Sequence, residues 1–205
     1  MCLVNLLSTM NIAIIKYNAG NNFSVECALR RLGYEAIVTD DPNEIRQADK
    51  VIFPGVGEAR SAMEYLCSHG LDKVIKSLTQ PVLGICIGQQ LMCRYSEEGD
   101  VDCLGIFDVD VKRFDASQSE LKIPHMGWNT ITLAKEDFIP VNLNGKYVYY
   151  VHSYYVPVND ATIATTDYIT PYSAALHKDN FYATQFHPEK SGDIGEQILK
   201  SFIEL

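Results

Sequence analysis

The chain has 205 residues, 47% of them hydrophobic and 21% charged, with a net charge of −9. That balance fits one globular domain with an ample core and excludes disordered and fibrous classes. The acidic charge argues against a nucleic-acid-binding face, which needs clustered Lys and Arg, and no apolar run approaches the ~20 residues of a membrane span.

The start, Met1 to Leu7, is apolar but has no basic stretch and no evident cleavage site, so it does not read as a signal peptide. A clean first strand follows Met10. Residues 1–10 are expected to be either an extension or the product of a start assigned too early, and 11–205 a single domain. The first half then alternates strand and helix patterns. Ile12–Ile15 is a short apolar strand ending in the turn-rich loop Tyr17–Asn21. Residues 23–32 read as a helix stopped by Gly33. Strands follow at 35–39 and 51–53, the latter running into Pro54-Gly55-Val56-Gly57. A helix is expected over 58–68 and a fourth strand over Val82–Ile85. Apolar strands without alternation suit a parallel sheet covered on both faces, and the βαβ order predicts a doubly wound α/β fold.

From Val109 the character changes to strand-rich, with a long β run over 146–156. A hairpin is expected from Tyr172–Leu176 and Phe181–Phe186, and an amphipathic helix over 192–203. Residues 115–120 read as a polar surface loop. The six cysteines, Cys2, Cys27, Cys67, Cys86, Cys93 and Cys103, form no CxxC pair. Five read as reduced packing residues, which points to a reducing compartment, the cytoplasm. The five histidines show no metal-ligand spacing, so neither a metal nor a cofactor is expected.

The most informative stretch is Gly84-Ile85-Cys86-Ile87-Gly88-Gln89-Gln90. An apolar strand enters a tight turn with cysteine at its tip and continues into a helix, the pattern of a nucleophile elbow. The positive end of that helix favours a thiolate, and the glycines keep side chains clear of the bend. A base is required, and His187 in Gln185-Phe186-His187-Pro188-Glu189 is the candidate. In an extended segment Glu189 would point to the same side as His187 and orient it. The Pro54-Gly55-Val56-Gly57 segment closes a strand expected beside the elbow strand, where its backbone N–H groups can serve an oxyanion.

Together these motifs resemble the class I (triad) glutamine amidotransferases. Within that class, Pro54-Gly55-Val56-Gly57, Pro124-His125-Met126-Gly127-Trp128-Asn129, His152-Ser153-Tyr154 and Gln185 to Ser191 resemble the glutaminase subunits of imidazole glycerol phosphate synthase. The resemblance runs from about residue 11 to the end. It implies Cys86 as nucleophile, His187 as base and Glu189 as its partner. Ile87 and the Val56–Gly57 backbone would supply oxyanion donors, the latter after a peptide flip. Gln90, Ser153 and Tyr154 match positions that contact glutamine, and Glu98 its α-amino group. It further implies a (β/α)8 cyclase partner that uses the ammonia in histidine biosynthesis, with Trp128, read as part of a turn, facing that partner. Gln89 stands where the family usually has Met, and Glu58 where a small residue is usual. A glutaminase serving another synthase and a cysteine hydrolase of similar fold are the competing readings.

Overall fold

The computed structural model describes residues 10–18 and 21–205. Residues 1–9 of the expected extension, Cys2 among them, and Ala19-Gly20 of the first loop lie outside the described residues.

The strands of the first half are β1 (Ile12–Ile15), β2 (Ala36–Thr39), β3 (Lys50–Phe53) and β4 (Val82–Ile85). They alternate with α1 (Asn22–Arg31), α2 (Pro42–Gln47), α3 (Ala59–Ser68) and α4 (Leu71–Lys76). Next come α5 (Ile87–Leu91), β5 (Cys93–Ser96), β6 (Val101–Asp102), β7 (Phe107–Arg113), β8 (His125–Thr130) and β9 (Thr132–Leu133). The chain finishes with β10 (Tyr147–His152), β11 (Tyr154–Tyr155), β12 (Thr162–Asp167), β13 (Pro171–Lys178), β14 (Phe181–Thr184) and α6 (Gly192–Ile203).

The main sheet has eight strands in the order β2-β1-β3-β4-β14-β13-β12-β9. β2 through β14 of that order pair in parallel, and the last three strands are antiparallel additions. Alternation along β1 explains the two layers. Ala13 and Ile15 pack with Ile45 of α2, Met63 and Leu66 of α3 and Ile75 of α4. Ile12 and Ile14 pack on the other face with Val25 and Leu29 of α1 and Ile198 and Phe202 of α6. Both faces are covered at β1, β3 and β4, which is why these parallel strands read as apolar runs. The expected doubly wound α/β fold with a strand-rich second half is the fold observed.

Three expectations need correction. The helix expected after Cys86 is only five residues long, and Cys93 already begins β5. The long β run over 146–156 breaks at Ser153 into β10, which pairs with β8, and β11, which pairs with β7. Trp128 is on strand β8, not at a turn. Short helices α2 and α4, too brief for a clear periodicity, escaped the sequence reading.

Candidate active site

Strands β3, β4 and β14 run parallel side by side, so their carboxyl ends lie together at one sheet edge, where α/β folds bind ligands. Each end delivers one part of the site: Pro54–Gly57 after β3, Cys86 after β4, and Gln185–Glu189 after β14.

Cys86 has φ 55° and ψ −106°, a conformation that costs a non-glycine residue roughly 1–3 kcal/mol. The turn is held by Cys86 N–H donating to Thr184 O at 2.7 Å. The glycines on either side serve proximity rather than conformation. A Cβ on Gly88 would sit 2.0 Å from Phe53 O, and one on Gly84 would meet Gly88 at 2.9 Å. The elbow works because α5 packs directly on the backbones of β3 and β4. With α5 so short, the field at the sulfur comes from its first-turn N–H groups rather than from a long helix dipole.

His187 and Glu189 are brought together differently from the extended arrangement expected. Residues Pro188–Lys190 form a 3₁₀ turn with His187 at its start, and Pro at the first position presets it. The turn folds the carboxylate back, so His187 Nδ1 and Glu189 Oε1 are 2.8 Å apart, both side chains buried. The backbone of His187 is clamped as well: its N–H donates to Tyr149 O at 2.9 Å, and Ser191 Oγ donates to its carbonyl at 2.7 Å. The other nitrogen, Nε2, is buried without a hydrogen-bond partner. Burial pulls the imidazole pKa down, but Cys86 and Glu189 together outweigh it and push it up to about 10. The cysteine is thus close enough to act on the ring, and the pair is set for proton transfer.

One cavity of about 250 Å³ opens at this edge, lined by Val56, Gly57, Cys86, Ile87, Gln90, Glu98, Val151, His152, Ser153 and Tyr154. Every residue expected to bind the oxyanion or glutamine therefore meets the nucleophile in a single site. Glu98 Oε2 accepts from Ala59 N–H at 3.1 Å, while burial raises its carboxyl pKa. Glu58 lies outside the lining. It caps α3 by accepting from Arg60 and Ser61 N–H, bonds that lower its pKa. Gln89 is buried, donating to Ser173 O at 3.2 Å. In Pro54–Gly57 the two glycines differ in purpose. A Cβ on Gly55 would strike Ile87 Cγ2 at 1.9 Å, and Tyr17 Oη donates to Pro54 O at 2.6 Å. Only Gly57, at φ 144°, has a conformation reserved for glycine.

Behind the cavity wall lies a polar chain that sequence reasoning missed. His152 Nδ1 is 2.7 Å from the Tyr154 carbonyl and must donate to it, so its Nε2 accepts from Tyr172 Oη at 3.3 Å. The tyrosine's one proton is then spent, and His125 Nδ1 donates to that oxygen at 3.1 Å. These directions of donation hold with both histidines neutral. Burial agrees, pushing His125 down to about 4 and His152 to about 3. Both folded values lie below the unfolded one, so the unfolded chain binds more protons as pH falls below about 6.5. The contribution of these two histidines to stability is thus expected to be full above that pH and to fall toward pH 4, by about 2.5 kcal/mol per pH unit near pH 5. Urea melts at neutral pH and at pH 5 measure the slope. A His152→Gln chain should show about half of it; an unaltered slope would remove His152 from the account.

The fold and the site define a class I glutamine amidotransferase. The family described as "Glutamine amidotransferase class-I" matches residues 13–205, and the chain belongs to it. The chain is 64% identical over 196 residues to "Imidazole glycerol phosphate synthase subunit HisH" of Bacteroides fragilis (strain YCH46), covering 96% of this chain and all of that one. The subunit of the same name from Escherichia coli (strain K12) is 46% identical over 198 residues, again with 96% and 100% covered. Within its class the chain therefore falls in the family of imidazole glycerol phosphate synthase glutaminase subunits, enzymes of histidine biosynthesis. Among solved structures, "PurLQS from Thermotoga maritima" shares the fold at a TM-score of 0.71 and 14% identity, covering 96% of this chain and 98% of that one.

Proposed function

We propose that Cys86, His187 and Glu189 hydrolyse glutamine to glutamate and ammonia, and that the ammonia passes to a (β/α)8 cyclase subunit making imidazole glycerol phosphate in the cytoplasm. The observation that carries the reading is the cavity itself: a small site, below the ~300–1,000 Å³ of drug-sized pockets, that has the elbow cysteine in its wall. It suits a single amino acid. In this reading His187 takes the thiol proton, and the sulfur attacks the side-chain amide carbon. The amide nitrogen leaves as ammonia with the proton from His187, and water then cleaves the γ-glutamyl thioester. Ile87 N–H supplies one oxyanion donor and the Val56–Gly57 peptide the other. Gln90, Ser153 and Tyr154 hold the substrate, and Glu98 receives its α-ammonium.

The partner surface is an apolar patch beside the cavity. Strands β8 and β10 bury His125, Val148, Tyr150 and His152 on one face and expose Met126, Trp128 and Tyr147 on the other. Trp128 is 56% exposed, edge-on to Tyr149 at 5.9 Å. Val151 continues β10 into the cavity wall, and Tyr149 carries the backbone clamp on His187. A partner seated on this patch lies next to both triad and oxyanion segment.

Regulation follows from the Pro54–Gly57 geometry. With Pro54 and Gly55 pinned, reorientation is confined to the Val56–Gly57 peptide. A missing oxyanion donor is worth ~10²–10³ in rate. The free chain should therefore be a poor glutaminase, and the complex with its nucleotide bound faster by a factor of that order. Steady-state ammonia release from the chain purified alone, with its co-purifying partner, and with partner and nucleotide tests this. Equal rates in all three would contradict it.

A further inference from the structure

The side chain of Gln185 is fully buried, two residues before His187, and touches the reacting sulfur. Its Nε2 is 3.7 Å from Cys86 Sγ, and its Oε1 is 2.9 Å from Gln90 Nε2. The same Gln90 nitrogen is 2.9 Å from the Tyr154 carbonyl. That carbonyl decides the orientation of two amides. It can only accept, so the Gln90 atom facing it must be the NH₂ group. That NH₂ also faces Gln185, so Gln185 must present its oxygen there. What Gln185 then turns toward the sulfur is necessarily N–H. Tyr154 O is itself fixed by a second donor, His152 Nδ1, at 2.7 Å.

We propose that Gln185 is a catalytic residue, an N–H donor to the Cys86 sulfur whose polarity is imposed by Gln90 and the Tyr154 carbonyl. It rests on the glutaminase reading for its place in turnover, and on geometry alone for its action on the thiol. An N–H at this distance favours sulfur in the anionic form. It also meets the electron pair that returns to sulfur when water has added to the thioester and the C–S bond breaks. It complements His187, which moves the proton, by offering a hydrogen bond that is never transferred. Among the described residues, Gln185 Nε2 and the Val151 carbonyl, at 3.9 Å, meet the sulfur beside the His187 ring, and the carbonyl accepts only from the protonated thiol. Without Gln185, that carbonyl would favour the thiol.

The test is alkylation of Cys86 by iodoacetamide in the full chain across pH, with mass mapping to separate it from the other cysteines. Gln185→Glu keeps an acceptor for Gln90 but turns a carboxylate oxygen toward the sulfur; Gln185→Met removes both bonds at similar volume. The other titratable groups acting on or through Cys86, which are His187, Tyr172 and Tyr17, stay in place in both variants. Both variants should alkylate about tenfold more slowly at neutral pH and converge on the parent at high pH, with Gln185→Glu the slower. A reduction by one constant factor at every pH, or none, would overturn the proposal, since a merely structural residue does not move the profile. Ammonia release is measured on the same preparations with the partner present. A parent chain that alkylates normally yet never hydrolyses glutamine would overturn the glutaminase reading instead.

Discussion

Cys86→Ala is expected to abolish ammonia release from glutamine, by about 10⁴-fold or more, while the fold persists. Among the described residues no other thiol lines the cavity. Cys93 is fully buried at the start of β5, its thiol 3.4 Å from Gln89 O, and burial holds its pKa well above the usual range. The Ser153 hydroxyl shares the cavity, but His187 makes no hydrogen bond to it. The fold should survive because the elbow is held by backbone: Cys86 N–H to Thr184 O, and the close seat of Gly88 on Phe53. Alanine inherits the unfavourable φ and ψ, whereas Cys86→Gly relieves them and should be more stable than Cys86→Ala by about 1 kcal/mol. Both should be equally inactive. A further readout sits on His187. Without the sulfur one of its two supports is gone, so the imidazole should titrate below the parent's value of about 10, measurable by NMR of the ring protons. Near-normal turnover in Cys86→Ala would end the thioester mechanism.

Much of the parallel half of the fold was legible because β1, β3 and β4 are apolar on both faces and α1 has a stop signal. Gly33 at φ 86° ended α1 where expected, and the apolar set Ala59, Ala62, Met63 and Leu66 is the buried face of α3. The elbow was legible for a different reason. Glycine flanking a cysteine between strand and helix is a local pattern, and local patterns survive without knowledge of the fold. What remained hidden depends on partners distant in sequence. Gln185 stood in full view, but its relation to Cys86, 99 residues away, comes from β14 pairing with β4. The His152–Tyr172–His125 chain spans three strands of two sheets. The particular neighbours that Gly55 and Gly88 make room for, Ile87 and Phe53, were hidden, since only the packed structure shows what a Cβ would strike. The fold of the His-Pro-Glu segment was misread because alternation was assumed where proline starts a 3₁₀ turn.

The contrast between His187 and Glu189 follows from that turn. His187→Ala removes the group that takes the thiol proton and returns it to the leaving nitrogen, and its cost should be ~10²–10⁴ in kcat. Glu189→Gln should cost less. The Gln oxygen can still accept from Nδ1 at the position of Oε1, so the ring keeps its tautomer and the Tyr149 and Ser191 clamps still hold its backbone. What is lost is the negative charge behind the imidazolium. Burial is the largest influence on this ring and acts to lower its pKa; Cys86 and Glu189 are what overcome it. Removing the carboxylate charge therefore lowers the imidazole pKa from about 10, and the charged form that donates to the leaving nitrogen becomes scarcer as pH rises. The loss in Glu189→Gln should accordingly be smallest in mildly acidic solution and grow toward alkaline pH, whereas the loss in His187→Ala should be large throughout. Rate profiles of the two variants in the presence of the partner decide the matter. A Glu189→Gln chain that is folded yet more damaged than His187→Ala would reverse the two roles, making the carboxylate the proton carrier.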